Sequence, residues 1–223
     1  AAVLMVDYSC ALKLATPIAF LSAMKEAANH KILIKGGKYL EALAKVDTVV
    51  FDKTGTLTVS SPKVAEVVSL DPDWTEDEVL KISACLEEHF PHPVARAVVK
   101  AAEQKNLAHE EEHAEVEYIV GHGIASKLRG QHLVIGSRHF VEEDGVSCAF
   151  AQNQIEAIAS TGHSVLYLAM GQKLIGLIGI EDPLRDESKY VIARLRQMGI
   201  PHIVMITGDG EKTAANVAAR LGI

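Results

Sequence analysis

The feature that most constrains the fold is a short β-branched run that ends directly in a carboxylate. Residues 47–51 read DTVVF, a pattern typical of a buried parallel strand. The run continues into Asp52-Lys53-Thr54-Gly55-Thr56-Leu57-Thr58. In open α/β sheets, the carboxyl end of a strand borders the crevice in which ligands bind. The sequence therefore predicts an α/β domain with a ligand site beside Asp52.

The residue types in this loop suit phosphate chemistry. Asp52 can act as a nucleophile and form an aspartyl phosphate, and Lys53 supplies positive charge. Gly55 permits a tight turn, so that the following N–H and hydroxyl groups can cradle phosphate oxygens. A strand followed by an ordinary polar turn is the alternative interpretation. It does not explain why Thr207-Gly208-Asp209 recurs at the end of another apolar strand. Two such loops facing one crevice indicate a phosphate and magnesium site.

Composition excludes several other classes of protein. The 223 residues are 48% hydrophobic and 23% charged, which argues against a disordered, collagen-like or disulfide-stapled chain. A net charge of -7 and only 5% aromatic residues argue against a nucleic-acid binder. The cysteines Cys10, Cys85 and Cys148 form no C-x-x-C motif. We expect Cys85 and Cys148 to be buried or incidental thiols.

The order of the predicted elements indicates one domain inserted into another. The α/β segments at both ends flank a central region of antiparallel strands and helices. In that region, Thr75 and Glu78 form a predicted capping box, and Pro93 begins a second helix. The predicted strands are 63–70, 116–120, 124–129, 132–136 and the hairpin 164–170 with 173–180. The remaining predicted elements are helices 14–30, 37–45, 150–160, 186–198 and 211–221, and strand 203–206.

Several segments, spread over nearly the whole chain, resemble those of one protein family. The segment 52–58 is identical to the phosphorylation motif of P-type ATPases, which belong to the haloacid dehalogenase-like superfamily. Thr207-Gly208-Asp209 resembles the second phosphate-site loop of that family, and Asp182-Pro183-Leu184-Arg185 resembles its D-P-x-R segment. The resemblance implies an α/β, Rossmann-like phosphorylation domain with a parallel sheet. A nucleotide-binding α+β domain with an antiparallel sheet would interrupt it.

The same resemblance implies roles for the loop residues. Asp52 would be phosphorylated by ATP. The Asp52 side chain and the Thr54 carbonyl would bind Mg²⁺. Thr54 and Thr207 would donate hydrogen bonds to the phosphoryl oxygens, while Gly208 and Asp209 would shape the site.

The central region resembles the nucleotide-binding domain of heavy-metal-transporting P-type ATPases. His92-Pro93 is similar to their H-P motif, and Gly121 and Gly123 to their G-x-G loop. Glu87 stands where the family has an adenine-contacting Glu, and Gly136 where it has a Gly beside the nucleotide. A histidine at a helix N-cap can project a ring with both a donor and an acceptor. Glycines let a nucleotide approach the backbone, although a glycine-bounded turn would give the same pattern.

The amino-terminal segment bears on metal transport. Residues 8–17 (YSCALKLATP) resemble the membrane motif C-P-C-A-L-x-L-A-T-P of heavy-metal pumps, and only Cys10 matches a metal ligand. Paired thiolates suit Cu(I), so one thiolate favours zinc, cobalt or manganese as the transported ion. Cys10 as a helix-packing residue is the alternative. Residues 1–24 fit part of a broken membrane helix containing Pro17, or a buried amphipathic helix.

The resemblance implies that the chain is a piece of an integral membrane pump with partners beyond nucleotide. ATP, Mg²⁺, a heavy-metal cation and the lipid membrane are the expected partners, and nucleic acid is not. A further Lys, a G-D-G-x-N-D segment and a T-G-E loop of the family have no counterpart here. We expect the chain to bind nucleotide but hardly to phosphorylate itself. The expected divisions are a membrane-helix end and stalk (1–30), the phosphorylation domain (31–62 and 181–223) and the nucleotide-binding domain (63–180), cytoplasmic after about residue 30.

Two other functions stay open on the sequence. The first is a soluble haloacid dehalogenase-like phosphatase, although Thr54 occupies the position where those enzymes carry a second Asp. The second is a nucleotide-binding module without catalytic activity. The run 109–113 (HEEEH) matches the H-E-x-x-H zinc pattern, but its acidity and lack of an apolar stripe favour a solvated charge run.

Overall fold

The computed structural model describes residues 2–88, 90, 92–107, 117–119, 123–128 and 130–223, with the backbone alone for 2–10, 12, 117–119 and 128. Gly121 and the run 109–113 therefore lie outside the described residues, as does the Cys10 side chain. The chain divides into two units. One comprises residues 1–49 and 199–202, and the other residues 50–198 and 203–223.

The first unit is built from two helices. Helix α1 spans Ala2–Asn29, with Pro17 in its interior, and begins earlier than the predicted 14–30. Helix α2 spans Gly37–Leu43. Its first residue, Gly37, packs closely against Phe20 of α1. A Cβ atom added at Gly37 would lie 3.4 Å from the Phe20 ring. None of the described helices combines the length and apolar character needed to cross a membrane.

A two-stranded parallel sheet carries both predicted phosphate loops. Strand β1 spans Thr48–Asp52 and pairs with β8, His202–Ile206. The expectation of a buried first strand is wrong, since Val50 is 51% exposed. A sheet of two strands leaves much of each strand open to solvent. Helix α7 (Ser188–Gln197) precedes β8 in the chain, and helix α8 (Glu211–Leu221) follows it.

The central region forms a six-stranded antiparallel sheet in the order β2-β7-β6-β5-β4-β3. Its strands are β2 Lys63–Ser69, β3 Glu117–Ile119, β4 Gly123–Leu128, β5 Gln131–Gly136, β6 Ser164–Met170 and β7 Lys173–Glu181. Its helices are α3 Glu76–Glu87, α4 Pro93–Gln104, α5 Arg138–Glu143 and α6 Gln152–Ser160. The parallel and antiparallel sheets together confirm the predicted mixed α/β class.

Local sequence signals explain several of these boundaries. The capping box at the start of α3 is confirmed, with Glu78 N donating to Thr75 Oγ1 and Thr75 N donating to Glu78 Oε2. The hairpin of β6 and β7 is also confirmed. Helix α5, which was not predicted, has six residues and begins where Ser137 Oγ accepts from Phe140 N. Helices this short carry too little periodicity to be recognised from sequence.

The sheet holds one hydrophobic core on each face, and β7 contributes to both. Its Ile178 is fully buried in the core shared with α3 and α4. Its Leu177 is fully buried in the other core, with α5 and α6. Close packing against helices explains the glycines of β7, because a Cβ atom at Gly176 would lie 2.4 Å from Val79 Cγ1 of α3. The sheet is therefore packed against helices on both faces.

We predict that Gly176→Ala lowers the free energy of unfolding by about 1–3 kcal/mol, because the added methyl group overlaps Val79. Val79→Ala alone lowers it by about 2–3 kcal/mol through a cavity. The double variant should lose less than the sum, since each change relieves the other. Urea unfolding monitored by circular dichroism measures all three variants. Strict additivity would contradict the packing explanation.

Candidate phosphate and nucleotide site

The loop after β1 reverses the chain in a glycine-dependent turn. Thr54 (φ -76°, ψ 119°) and Gly55 (φ 80°, ψ -12°) have the angles of a type II turn, which requires a positive φ at its third residue. Gly55 N donates to Thr58 Oγ1 at 2.9 Å. A Cβ atom at Gly55 would lie 2.9 Å from Ser60 Oγ. The predicted tight turn at Gly55 is thus confirmed.

Arg185 braces this turn from the D-P-x-R segment. Its Nε donates to Thr56 O at 3.1 Å and its Nη2 to Gly55 O at 3.2 Å. Its backbone N donates to Leu57 O at 2.9 Å. Residues 182–185 resemble a family segment, but no contact was predicted for them. Arg185 therefore satisfies carbonyl oxygens that the turn leaves without partners.

A buried ion pair joins the two loops. Lys53 Nζ lies 2.5 Å from Asp209 Oδ2, and their side chains are 6% and 13% exposed. Asp209 Oδ2 also accepts from Thr207 Oγ1 at 2.7 Å, and Oδ1 accepts from Ser164 Oγ at 2.5 Å. Burial opposes ionisation of Asp209. The hydrogen bonds from Lys53, Ser164 and Thr207 and the Lys53 charge outweigh it and lower the pKa of the carboxyl. Asp209 is therefore ionised near neutral pH.

Asp52 and Thr54 provide oxygen atoms of the kind that Mg²⁺ binds. Asp52 is exposed at the end of β1, and Thr54 is exposed in the turn that follows. A carboxylate and a backbone carbonyl are hard oxygen ligands, so this donor set fits the ion. Among the described residues, no cluster of three or more His, Cys, Asp or Glu could hold a metal ion by itself. Any Mg²⁺ here would need phosphate or water oxygens as well.

The hydroxyl of Thr207 forms hydrogen bonds within its own loop. It donates to Asp209 Oδ2 and accepts from Asp209 N at 3.1 Å. Because its single proton is already in use, a bond to a phosphoryl oxygen would require the hydroxyl to leave Asp209. The contact between Thr207 and phosphate stays a prediction.

A cleft of about 1020 Å³ is lined both by residues of the phosphate loops and by residues of the helices that pack on the six-stranded sheet. Its lining includes five of the predicted site residues, Lys53, Thr54, His92, Gly208 and Asp209. Other predicted residues within the described part of the chain do not line it, namely Asp52, Glu87, Gly123, Gly136 and Thr207. The structure thus brings the phosphate loops and the histidine motif to one cavity large enough for a nucleotide.

His92 occupies the N-cap of α4, as the sequence predicts, with Pro93 at the first helical position. Its Nδ1 accepts from Val94 N at 3.3 Å. This bond assigns the proton of the neutral ring to Nε2. Since His92 lines the cleft, its Nε2–H is a donor available to a ligand.

Glu87 and Gly123 lie in packed surroundings. Glu87 is 8% exposed, and burial raises the pKa of its carboxyl to about 7. At Gly123, a Cβ atom would lie 2.3 Å from Ile135 O and 2.5 Å from Phe140 Cδ1. Packing against β5 and α5, rather than room for a ligand, accounts for the glycine. Contacts of Glu87 and Gly123 with nucleotide stay predictions, as does the contact of Gly136.

Arg138, a cation in the lining of the cleft, was not predicted from the sequence. Its Nε donates to Glu142 Oε1 at 2.8 Å and its Nη1 to Gln152 Oε1 at 3.2 Å. The hydrogen bond to Glu142 raises the pKa of Arg138. A basic residue two positions after Gly136 was the available signal. Arg138 adds positive charge to the helix side of the cleft.

With this geometry established, comparisons with known proteins assign the family. Residues 46–223 match the haloacid dehalogenase-like hydrolases, and the chain belongs to this family. Over 99% of the chain, the zinc-exporting P-type ATPase of Mycobacterium marinum is 38% identical. The copper-exporting P-type ATPase of Legionella pneumophila is also 38% identical over 99% of the chain. The curated relatives across the whole chain thus include heavy-metal P-type ATPases.

The solved structures agree with this assignment. A zinc-transporting PIB-type ATPase in its E2.Pi state matches with a TM-score of 0.63 and 33% identity. The match covers 96% of this chain and 34% of that protein. The chain spans about 30% of the length of the curated relatives named above. The predicted family resemblance is confirmed.

We predict that Glu87 makes stability fall as pH rises. The pKa of Glu87 is about 7 in the folded chain and lies above the ordinary 4.5. Its contribution to the free energy of unfolding is therefore fully present below pH 4.5 and is lost as the pH rises through 7. Glu87→Gln should remove this loss, on the order of 3 kcal/mol, when urea unfolding is compared at pH 4.5 and 8. The exposed Glu103→Gln is the control and should follow the wild type. Equal pH dependence in all three proteins would refute the prediction.

We predict that Asp209→Ala lowers the free energy of unfolding by about 3–5 kcal/mol, because it leaves the buried Lys53 charge without a partner. Adding Lys53→Met should recover part of the loss. The matched control is Asp77→Ala in the exposed Asp77–Lys105 pair, which should cost about 1 kcal/mol or less. Urea unfolding at pH 7 measures each variant. Equal losses from the two single Asp variants would contradict a buried pair.

Proposed function

We propose that this chain is the ATP-binding and phosphorylation part of a heavy-metal cation pump that forms an aspartyl phosphate at Asp52. The observation that carries the proposal is the shared cleft. The Lys53–Asp209 pair and Thr54 line the same cleft as His92 and Arg138. A nucleotide with its base near α4 would direct its phosphates toward the loop after β1. The zinc and copper exporters among its relatives support a role in a heavy-metal pump.

In the proposed reaction, a carboxylate oxygen of Asp52 attacks the γ-phosphorus of ATP. A bond forms between that oxygen and phosphorus, the bond from phosphorus to the β,γ-bridging oxygen breaks, and ADP leaves. Lys53 offsets negative charge on the transferred group, and the Thr54 hydroxyl donates to one of its oxygens. His92 Nε2–H holds the nucleotide. Bound Mg²⁺, held by the Asp52 carboxylate and the Thr54 carbonyl, would screen phosphate charge.

The same proposal assigns each part of the chain to a domain. Residues 31–62 and 181–223 would form the phosphorylation domain and 63–180 the nucleotide-binding domain. The six-stranded sheet supports these limits, since it begins at Lys63 and ends at Glu181. Residues 1–30 would be the end of a membrane helix and its stalk. The part after about residue 30 would lie on the cytoplasmic side of a plasma or inner membrane.

The transported ion is proposed from the motif around Cys10. One thiolate with oxygen neighbours favours a borderline or harder divalent ion such as zinc, cobalt or manganese over Cu(I). Sequence identity does not discriminate, because a zinc exporter and a copper exporter are each 38% identical to the chain. Metal competition in transport by the intact pump tests the choice, and stimulation by Cu(I) alone would overturn it.

We predict that the chain binds ATP and that His92→Ala weakens binding about tenfold, through loss of one hydrogen-bond donor. Isothermal titration calorimetry with ATP and Mg-ATP measures both affinities. His132→Ala is the matched control. This exposed histidine contacts Asp144 and does not line the cleft, so its variant should bind as the wild type does.

Absence of saturable ATP binding by a folded chain would contradict the proposal. It would favour the soluble phosphatase alternative, which hydrolysis of a simple phosphate ester would then test. Binding that His92→Ala and His132→Ala weaken equally would place the nucleotide elsewhere. A non-catalytic module would bind ATP but never carry phosphate on Asp52 in the intact protein.

A further inference from the structure

Asp209 is held from two parts of the fold. Lys53 and Thr207, both in the phosphate loops, contact its Oδ2. Ser164, the first residue of β6, donates to its Oδ1 at 2.5 Å. This contact joins residues 45 positions apart and brings a side chain of the six-stranded sheet onto the buried pair. No role was predicted for Ser164 from the sequence.

The chain before Ser164 is anchored to α8. Asn216 Nδ2 donates to Ser160 O at 2.6 Å, and Thr213 Oγ1 donates to His163 O at 2.9 Å. Lys212 Nζ lies 2.5 Å from Glu156 Oε2. Two of these contacts hold the backbone on either side of the turn that leads into β6. The Ser164 hydroxyl therefore points at Asp209 from a fixed position.

The two oxygens of Asp209 have different partners, and this difference determines how the carboxylate lies. Oδ2 accepts from Lys53 and Thr207, whereas Oδ1 accepts from Ser164. Hydrogen bonds to an ionised carboxylate are about twice as strong as neutral ones. Without Ser164, Oδ1 loses this donor and the carboxylate can rotate about χ2. The Lys53 ammonium would then no longer be held in its position beside Asp209 Oδ2.

We propose that Ser164 is a positioning residue for phosphoryl transfer. Its hydroxyl orients the Asp209 carboxylate, which in turn holds the Lys53 ammonium beside the phosphorylation loop. The proposal rests on the function proposed above for the role of Lys53. It implies that the nucleotide-binding sheet acts on the phosphorylation loop through one hydrogen bond as well as through bound ATP.

The first test is independent of catalysis and uses the 223-residue chain labelled with ¹⁵N. The NMR signal of the Lys53 ammonium should be observable in the wild type, since the paired and buried group exchanges its protons slowly. Ser164→Ala should shift or broaden it, and Ser164→Thr, which keeps a hydroxyl, should restore it. Ser160→Ala is the matched control, because it removes a nearby serine hydroxyl that donates to Ala157 O and does not contact Asp209.

The second test uses the full-length protein that carries this sequence. Ser164→Ala should slow phosphorylation of Asp52 by Mg-ATP about tenfold or more, while the ATP dissociation constant stays within about twofold. Ser164→Thr should recover the rate, and Ser160→Ala should keep it. This split between rate and affinity separates positioning from nucleotide binding.

Two results would overturn the proposal. One is a Lys53 signal that Ser164→Ala leaves unchanged. The other is an equal effect of Ser164→Ala and Ser160→Ala on signal and rate, which would indicate general loosening of this part of the fold. If the wild type never carries phosphate on Asp52, the proposed function fails instead, and the NMR comparison still decides whether Ser164 positions the pair.

Discussion

The buried pair of Lys53 and Asp209 is the interaction on which the site depends. Burying two charges costs several kcal/mol per ion, and only close geometry with further hydrogen bonds offsets that cost. Ser164 and Thr207 supply those bonds to the carboxylate. Because Lys53 follows β1 and Asp209 follows β8, the pair draws together the ends of two strands far apart in sequence. Asp52, adjacent to Lys53, is thereby placed at the same edge.

The six-stranded sheet determines what faces this edge. Its two hydrophobic cores hold α3 and α4 on one side and α5 and α6 on the other. The start of α4 carries His92 to the cleft, and α5 carries Arg138. The first residue of β6 carries Ser164 to the buried pair. A domain with hydrophobic cores can thus present several polar groups at one end.

Sequence reasoning worked where a residue acts through its own backbone or near neighbours. The capping box of Thr75 and Glu78, the turn at Gly55 and the N-cap at His92 are local, and each appears as predicted. It failed where distant packing decides the outcome. Val50 is exposed although its strand reads as buried, and Gly123 is required by contacts with Ile135 and Phe140 rather than by a ligand.

The sequence by itself determined the family, the mixed α/β class and the chemistry of the loop at Asp52, because a contiguous motif carries all three. Only the tertiary structure decided that Arg185 braces this loop and that Ser164 reaches Asp209. These contacts join residues 129 and 45 positions apart. Their formation depends on sheet order and helix packing. A local pattern of residues does not indicate which distant side chains the sheet order and the packing will bring together.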